Sequence, residues 1–151
     1  NLGDRVDTLR KAVSLIKERI GSVDQQSSLY KTAAWGVTDQ PDFLNQVVRI
    51  DTDLTPESVL EQTQRIEQEL GRIRREKWGA RAIDIDILYY DQCIIRTETL
   101  TIPHPYLHQR RFTLVPLAEV APDFVHPVLQ KTTLELLAGC EDNGEVEIFN
   151  L

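Results

Sequence analysis

Residues 83–87 read Ile-Asp-Ile-Asp-Ile, and this strict alternation constrains the chain more than any other stretch. Apolar and polar residues that alternate with period two predict a half-buried strand. The three isoleucines would face a core, whereas Asp84 and Asp86 would share the opposite face, about 7 Å apart. Aspartate is a poor strand former, and two carboxylates on one face repel each other unless a cation lies between them. The alternation therefore predicts a strand whose polar face binds a divalent cation.

A basic segment precedes this predicted strand. Its basic residues are Arg72, Arg74, Arg75, Lys77 and Arg81. Guanidinium groups bind phosphate oxygens through paired donors, and Mg²⁺ is commonly held by carboxylates together with phosphate oxygens. The two stretches together predict a site for a polyphosphate and its metal. The alternative is a solvent-facing strand that follows a solvated basic loop.

Composition narrows the class of protein. The chain has 151 residues, of which 41% are hydrophobic and 27% charged, and this predicts a single globular domain over residues 1–151. A net charge of −7 argues against a nucleic-acid partner and against an anionic membrane surface.

Cys93 and Cys140 are isolated in the sequence, which predicts free thiols in a reducing cytoplasm. The sequence contains no membrane-spanning apolar run or signal peptide, and nothing in it indicates an obligate protein partner.

Helical spacing and turn residues predict the elements of the first half. Residues 6–20 predict a first helix, with Asp4 as its N-cap and Gly21 at its end. Residues 23–32 and 43–52 are strand candidates. Thr55 as N-cap and Pro56 at the first helical position predict a second helix that ends at Gly71. The alternating strand follows, then a turn at Asp91-Gln92 and a return strand through Ile94 and Ile95.

The second half is punctuated by proline. From Pro103 onwards the sequence predicts short helical pieces at most, and Thr132 or Thr133 can cap a short helix that ends before Gly139. The last residues are predicted either to add an edge strand or to extend into solvent. The element order matches a ferredoxin-like α+β sandwich, with helices packed on an antiparallel-rich sheet and the first strand missing. We expect residues ahead of Asn1 to supply that strand.

Four motifs, in order along the chain, carry a resemblance to a known family. They are D-Q-P-D-F-L-N (39–45), K-W-G-A-R-A-I-D-I-D-I-L (77–88), I-P-H-P (102–105) and R-R-F-T-L-V-P-L-A-E-V-A-P (110–122). Together they resemble the 6-hydroxymethyl-7,8-dihydropterin pyrophosphokinase family of folate biosynthesis. The resemblance extends from Asn1 to near Leu137.

The resemblance implies transfer of the β,γ-pyrophosphoryl group of ATP to the hydroxymethyl oxygen of 6-hydroxymethyl-7,8-dihydropterin, leaving AMP. It places two Mg²⁺ ions on Asp84 and Asp86, and it makes Arg72 and Arg81 the arginines that clamp the phosphates. The residues that it assigns to ATP are Gln64, Glu67, Arg74, Thr101, His104 and Arg110. For Gln64 and Glu67 the alternative is a solvated helix face.

On the pterin side, the resemblance assigns Phe43 and Phe112 to stacking on the ring and Asn45 to its hydrogen-bonding edge. Thr32 and Trp35 would line the same pocket. Stacking is a suitable way to hold a flat heteroaromatic ring. By residue type alone, the two phenylalanines would be ordinary core residues.

Two other functions remain open from the sequence. One is a different transferase that uses Asp-x-Asp for a metal nucleotide, such as a glycosyltransferase or a nucleotidyltransferase. The other is a non-catalytic regulatory module on a ferredoxin-like fold, in which Asp84 and Asp86 would be surface residues. Zinc is rejected because prolines flank His104 and no third soft ligand lies near it and His108. Neither a P-loop nor a Gly-rich dinucleotide motif is present.

Overall fold

Apolar residues at helical spacing form the first helix, as predicted. The computed structural model describes residues 2–32, 43–74 and 83–150. Helix α1 spans Leu2–Arg19, and its buried face includes Val6, Val13 and Ile16. The prediction that Asp4 is the N-cap was wrong, because Asp4 lies inside the first turn. A carboxylate there still stabilises the positive end of the helix dipole.

Gly21 ends α1 and lets two stretches of backbone approach closely. The chain passes directly from Gly21 into β1, Ser22–Gln26. A Cβ atom on Gly21 would lie 2.0 Å from the carbonyl oxygen of Asp51, which no side chain can occupy. Next to this contact, the Thr52 hydroxyl donates to the Ile20 carbonyl at 2.6 Å. Glycine is therefore required by the packing of the backbone.

The second helix begins where its cap residues predict. Helix α2 spans Pro56–Arg74, and the Ser58 amide donates to the Thr55 hydroxyl at 3.2 Å, so Thr55 is the N-cap. Its buried residues are Val59, Thr63, Ile66 and Leu70. The predicted end at Gly71 was wrong, since the helix continues through it to Arg74. An ion pair of 2.6 Å between Arg19 and Glu69 joins α1 to α2.

Each of the two predicted early strands is broken into two. The first becomes β1 and β2 (Tyr30–Thr32), and the second becomes β3 (Phe43–Asn45) and β4 (Val48–Asp51). The buried side chain of Ser27 lies at the break, and its hydroxyl accepts from the Val47 amide at 3.0 Å. The Ser27 amide in turn donates to the Val47 carbonyl at 2.8 Å. The Ser27 hydroxyl thus accepts the Val47 amide, which in a continuous pair of strands would donate to a backbone carbonyl.

The broken strands enter different sheets. Strand β1 pairs with β4, whereas β2 lies between β3 and β7, Glu147–Ile148. Both pairings of β2 are antiparallel. Strand β7 confirms one of the two outcomes predicted for the last residues, an added edge strand.

The alternating stretch keeps its predicted faces but does not form a strand. Within the described residues 83–90 no strand is present, so that prediction was wrong. The alternation of burial is confirmed, because the three isoleucines are half-buried while Asp84 and Asp86 are exposed. The Ile85 amide donates to the Glu67 carboxylate at 2.6 Å, so a helix side chain accepts the hydrogen bond that a neighbouring strand would otherwise accept.

A short hairpin follows this stretch. The predicted turn at Asp91-Gln92 is present, and Asp91 has a positive φ of 48°. The predicted return strand is β5, Ile95–Arg96, and it pairs in antiparallel fashion with β6, Thr101–Ile102. A cis peptide bond joins Ile102 to Pro103.

Short helices complete the chain, as its prolines predict. A 3-10 helix spans Leu107–Gln109, α3 spans Arg111–Val120 and α4 spans Thr133–Ala138. Thr132 caps α4 in a reciprocal capping box with Glu135, which confirms the predicted start. One buried cluster holds these helices together, and it consists of Leu107, Leu114, Leu117, Val120 and Leu136.

The backbone divides into two compact units. The first comprises Asn1–Asp24 and Ile50–Ile87, and the second comprises Gln25–Arg49 and Leu88–Leu151. Helices and small antiparallel sheets together make an α+β fold, as the sequence predicts. The single domain over residues 1–151 stays a prediction. None of the helices in the described ranges is long and apolar enough to cross a membrane.

Candidate active site

The paired carboxylates lie in the first unit, next to α2. Asp84 and Asp86 are exposed, and half-buried Ile85 separates them. Glu67 is half-buried on α2, and its Oε2 atom accepts the Ile85 amide at 2.6 Å. A short bond to an ionised acceptor is stronger than a bond between neutral groups. The backbone between the two aspartates is therefore fixed to the helix.

Other predicted nucleotide and phosphate residues also fall on α2. Gln64 is exposed, one turn before Glu67. The backbones of Arg72 and Arg74 belong to the last turn of α2, so the basic segment begins as helix. Arg81 lies outside the described residues.

Three of the predicted pterin residues come together on the β2–β3 pair in the second unit. Thr32 lies opposite Phe43 across the two strands. The Asn45 side-chain amide donates to the Thr32 hydroxyl at 3.5 Å, a long hydrogen bond. Phe43 is 47% exposed, so it is not a core residue. Trp35 lies outside the described residues.

Phe112 lies at the start of α3, where it meets a guanidinium group. The ring is half-buried, and the guanidinium carbon of Arg110 lies 5.7 Å from its centroid. The same guanidinium carbon lies 5.1 Å from the centroid of the Tyr106 ring. Both distances are within the range of cation–π attraction. Arg110, assigned to ATP, therefore contacts Phe112, assigned to the pterin.

Tyr106 is a residue that the sequence reasoning missed. It follows the I-P-H-P motif directly, and its ring is 52% exposed. The Tyr106 amide donates to Nδ1 of His104 at 3.2 Å, and the two rings lie 6.0 Å apart. A neutral His104 with Nδ1 as acceptor carries its proton on Nε2, so that nitrogen is a donor. Thr101, the remaining residue assigned to ATP, is exposed on β6.

Helix α3 is held against β2 by a carboxylate, and this fixes the position of Phe112. Glu119 accepts from the Ser28 amide at 2.9 Å and from the Tyr30 hydroxyl at 2.5 Å. Burial of Tyr30, together with this bond, raises the pKa of its phenol to about 12, so the hydroxyl stays a donor at neutral pH. At the other end of α3, the Arg111 amide donates to the Asp142 carboxylate at 3.0 Å.

The motifs and this arrangement agree with the comparison of the chain with known families. The family model of 7,8-dihydro-6-hydroxymethylpterin-pyrophosphokinase matches residues 1–122. The chain belongs to this pyrophosphokinase family. The match covers every predicted site residue, and it confirms the family that the four sequence motifs indicated.

Curated members of the pyrophosphokinase family are similar to the chain over most of their length. A 2-amino-4-hydroxy-6-hydroxymethyldihydropteridine pyrophosphokinase of Aquifex aeolicus is 41% identical over 135 residues, which cover 89% of this chain and 84% of the relative. The enzyme of that name from Haemophilus influenzae is 42% identical over 149 residues, which cover 98% of this chain and 92% of the relative. The one from Bacillus subtilis is 47% identical over 121 residues, which cover 80% of this chain and 72% of the relative.

Proposed function

We propose that this chain carries out the reaction of its family with magnesium ions held by Asp84 and Asp86. The reaction is transfer of pyrophosphate from ATP to 6-hydroxymethyl-7,8-dihydropterin, which yields the dihydropterin pyrophosphate and AMP in folate biosynthesis. The single observation that supports the metal assignment is the pair of exposed carboxylates on either side of Ile85, whose amide is held by Glu67. Neither side chain belongs to the buried core, and carboxylates at the surface offer the oxygen ligands that a hard cation prefers.

The residues present fit magnesium. Both aspartates offer hard oxygen donors at the surface, and Mg²⁺ is usually held by one or two carboxylates together with substrate phosphates. Two ions bound there would neutralise phosphate oxygens and orient the transferred group. Asp84 and Asp86 themselves would act as fixed ligands, and Glu67 would keep the backbone between them in place.

The remaining residues bind and orient the two substrates. Arg72 and Arg81 would clamp the transferred phosphates, since a guanidinium fork can bind two oxygens at once. The residues proposed to bind ATP are Gln64, Glu67, Arg74, Thr101, His104 and Arg110. Contact of Arg110 with the rings of Tyr106 and Phe112 supports its role, because it restricts a side chain that would otherwise be flexible.

The dihydropterin would bind on the β2–β3 pair and Phe112. We propose that Phe43 and Phe112 stack on its ring, that Asn45 binds its polar edge, and that Thr32 and Trp35 line the pocket. The exposure of Phe43 and the hydrogen bond between Asn45 and Thr32 support this assignment. The exposed part of an aromatic ring gains from burial when a flat substrate covers it.

We also propose the finer features that the sequence predicts. The chain would form one ferredoxin-like domain, and the enzyme would work in a reducing cytoplasm, where free Cys93 and Cys140 persist.

The test is an assay with ATP, Mg²⁺ and 6-hydroxymethyl-7,8-dihydropterin in which AMP and ADP are separated. We expect AMP to appear, and a chelator to stop its formation. Asp84→Asn or Asp86→Asn should lower kcat about 100-fold or more, as loss of charge-stabilising groups commonly does. A different metal-nucleotide transferase would form no AMP from the pterin, and a regulatory module would form no product.

Asp53→Asn is the matched control, because Asp53 is an exposed carboxylate in the turn before α2 and lies outside the proposed site. Its kcat should remain within about twofold of the wild-type value, as for most surface substitutions. Near-normal turnover in Asp84→Asn and Asp86→Asn would remove the metal assignment, while AMP formation by the wild type would still support the reaction.

A further inference from the structure

Glu67 binds the backbone between the two proposed metal ligands. Its Oε2 atom lies 2.6 Å from the Ile85 amide nitrogen, and Ile85 is the residue between Asp84 and Asp86. A carboxylate that accepts a backbone amide at this distance makes a short, charge-assisted hydrogen bond. The bond connects α2, a long helix with a buried face, to the exposed segment that carries the aspartates.

This bond restrains the backbone from which both aspartate side chains emerge. The Ile85 N–H belongs to the peptide bond between Asp84 and Ile85, so the bond orients that peptide plane directly, and it restrains Asp86 through Ile85. The burial pattern agrees, since Ile85 is half-buried and both aspartates are exposed. The helix that carries the acceptor is itself held in place, because Glu67 follows Ile66, which is completely buried in the face of α2.

We propose that Glu67 is a positioning residue for the metal site: by binding the Ile85 amide, it sets the geometry in which Asp84 and Asp86 bind divalent cations. This inference rests on the proposed function, and it goes beyond a contact of Glu67 with ATP. Ligands held at a set spacing lose less conformational freedom when a metal binds, and groups that orient metal ligands typically change metal affinity about 10-fold to 100-fold when removed.

Two substitutions separate the hydrogen bond from the charge. Glu67→Gln loses the charge but keeps a side-chain oxygen that can accept the Ile85 amide, whereas Glu67→Ala loses both. The matched control is Glu61→Ala, since Glu61 is exposed on the same helix and pairs with Arg65 at 2.7 Å. It removes one negative charge from α2 and leaves Ile85 untouched.

The measurement is NMR on the protein without nucleotide. Hydrogen exchange of the Ile85 amide reports the bond, and the Mn²⁺ concentration that broadens the amide signals of residues 84–86 by half reports metal binding. We expect Glu67→Ala to lose protection at Ile85 and to require about 10-fold more Mn²⁺ than Glu67→Gln. Glu61→Ala should match the wild type in both. In turnover, Glu67→Ala should lower kcat more than it raises the KM for the pterin.

The possible failures are distinct. If Mn²⁺ does not broaden these signals in the wild type, or broadens them equally in Asp84→Asn, the metal assignment under the proposed function is wrong. If Asp84→Asn weakens Mn²⁺ binding but Glu67→Ala and Glu67→Gln bind Mn²⁺ equally well, only the positioning role is overturned. Unchanged Ile85 protection in Glu67→Ala also overturns it.

Discussion

His126 is 5% exposed, and its Nδ1 atom accepts the amides of Val128 at 3.1 Å and Leu129 at 3.0 Å. Protonation of Nδ1 would replace this acceptor with a donor that faces two donors. Burial lowers the pKa of His126 below its ordinary value of 6.5, and the neighbouring His108, whose ring lies 6.4 Å away, lowers it further. At pH 7 the His126 side chain of the folded protein is therefore neutral.

This residue makes stability depend on pH. Because the pKa is lower in the folded state than in the unfolded state, the unfolded state binds more protons below pH 6.5. Stability is fully present above that pH and is lost as pH falls toward the lowered pKa. Between the two pKa values each pH unit costs about 1.4 kcal/mol of unfolding free energy. Urea unfolding at pH 7.5, 6.5 and 5.5 measures this loss.

His126→Asn is the control for the pH effect. The asparagine Oδ1 atom can take the place of Nδ1 as acceptor for both amides, but it does not titrate. We expect the variant to lose less stability than the wild type between pH 7.5 and 5.5, with a modest loss at pH 7.5 from the missing ring. Equal losses with pH in the two proteins would show that another group is responsible.

Among the helices and strands, Gly21 and Gly71 have opposite roles. Gly71 lies within α2, and a Cβ atom there would meet no atom of the described residues within 4 Å beyond its own helix backbone and chain neighbours. Glycine inside a helix costs backbone entropy, so Gly71→Ala should raise the unfolding free energy by about 0.5–1 kcal/mol. Urea unfolding checks this value, and a loss of stability would mean that the helix does not continue through residue 71 in solution.

Gly21→Ala is the opposite case. The new Cβ atom would lie 2.0 Å from the Asp51 carbonyl oxygen, so the backbone at the end of α1 or of β4 must shift. We expect a loss of at least about 2 kcal/mol, as for other overpacked sites. The same urea unfolding measures it, and a loss under about 0.5 kcal/mol, the size usual for surface substitutions, would contradict the close approach.

Elements with local signals were predicted from the sequence, and those that depend on distant contacts were not. Thr55 and Thr132 mark helix starts through bonds to residues three positions away, and both were predicted. The breaks in the early strands depend on Ser27 meeting Val47, which no local pattern encodes. Likewise, the alternation at residues 83–87 predicted which side chains are buried, but not that Glu67 would take the Ile85 amide.

The same division applies to the candidate site. The sequence motifs indicated the family, because its residue types stand at fixed places in them, and the family model confirms it. The roles given to the individual site residues stay predictions. Tyr106 was missed because its contact with the Arg110 guanidinium depends on how the two side chains lie in space, which no local sequence pattern encodes. For Trp35, Arg81 and the side chains of Arg72 and Arg74, the position too stays a prediction, because they lie outside the described part of the chain.

At the scale of the whole molecule, the proposed ligand residues divide between the two units. Asp84 and Asp86 belong to the first unit, whereas Asn45 and Phe112 belong to the second. The chain carries a net charge of −7, so an anionic nucleotide must be held by local groups and not by the overall field. Substitution of Asp84 should therefore affect the nucleotide more than the pterin, and substitution of Phe112 should affect the pterin more than the nucleotide.

Thermal unfolding with ligands tests this division. A ligand that binds only the folded state stabilises it by about 2.7 kcal/mol at 100 times its Kd, which corresponds to several degrees in Tm for a chain of this size. With Mg²⁺ and the α,β-methylene analogue of ATP, the wild type should gain in Tm, and it should gain further when the dihydropterin is added. Asp84→Asn should lose most of the first gain, because the analogue's phosphates would lack their metal ligands.

Phe112→Ala should keep most of the first gain and lose the second, because the proposed stacking surface is removed while Asp84 and Asp86 are unchanged. Each variant is compared with its own unliganded Tm, so that any loss of intrinsic stability cancels. A full pterin-dependent gain in Phe112→Ala would remove the stacking role. If Phe112→Ala instead loses the gain from the nucleotide analogue, its ring acts through Arg110, whose guanidinium carbon lies 5.7 Å from the ring centroid.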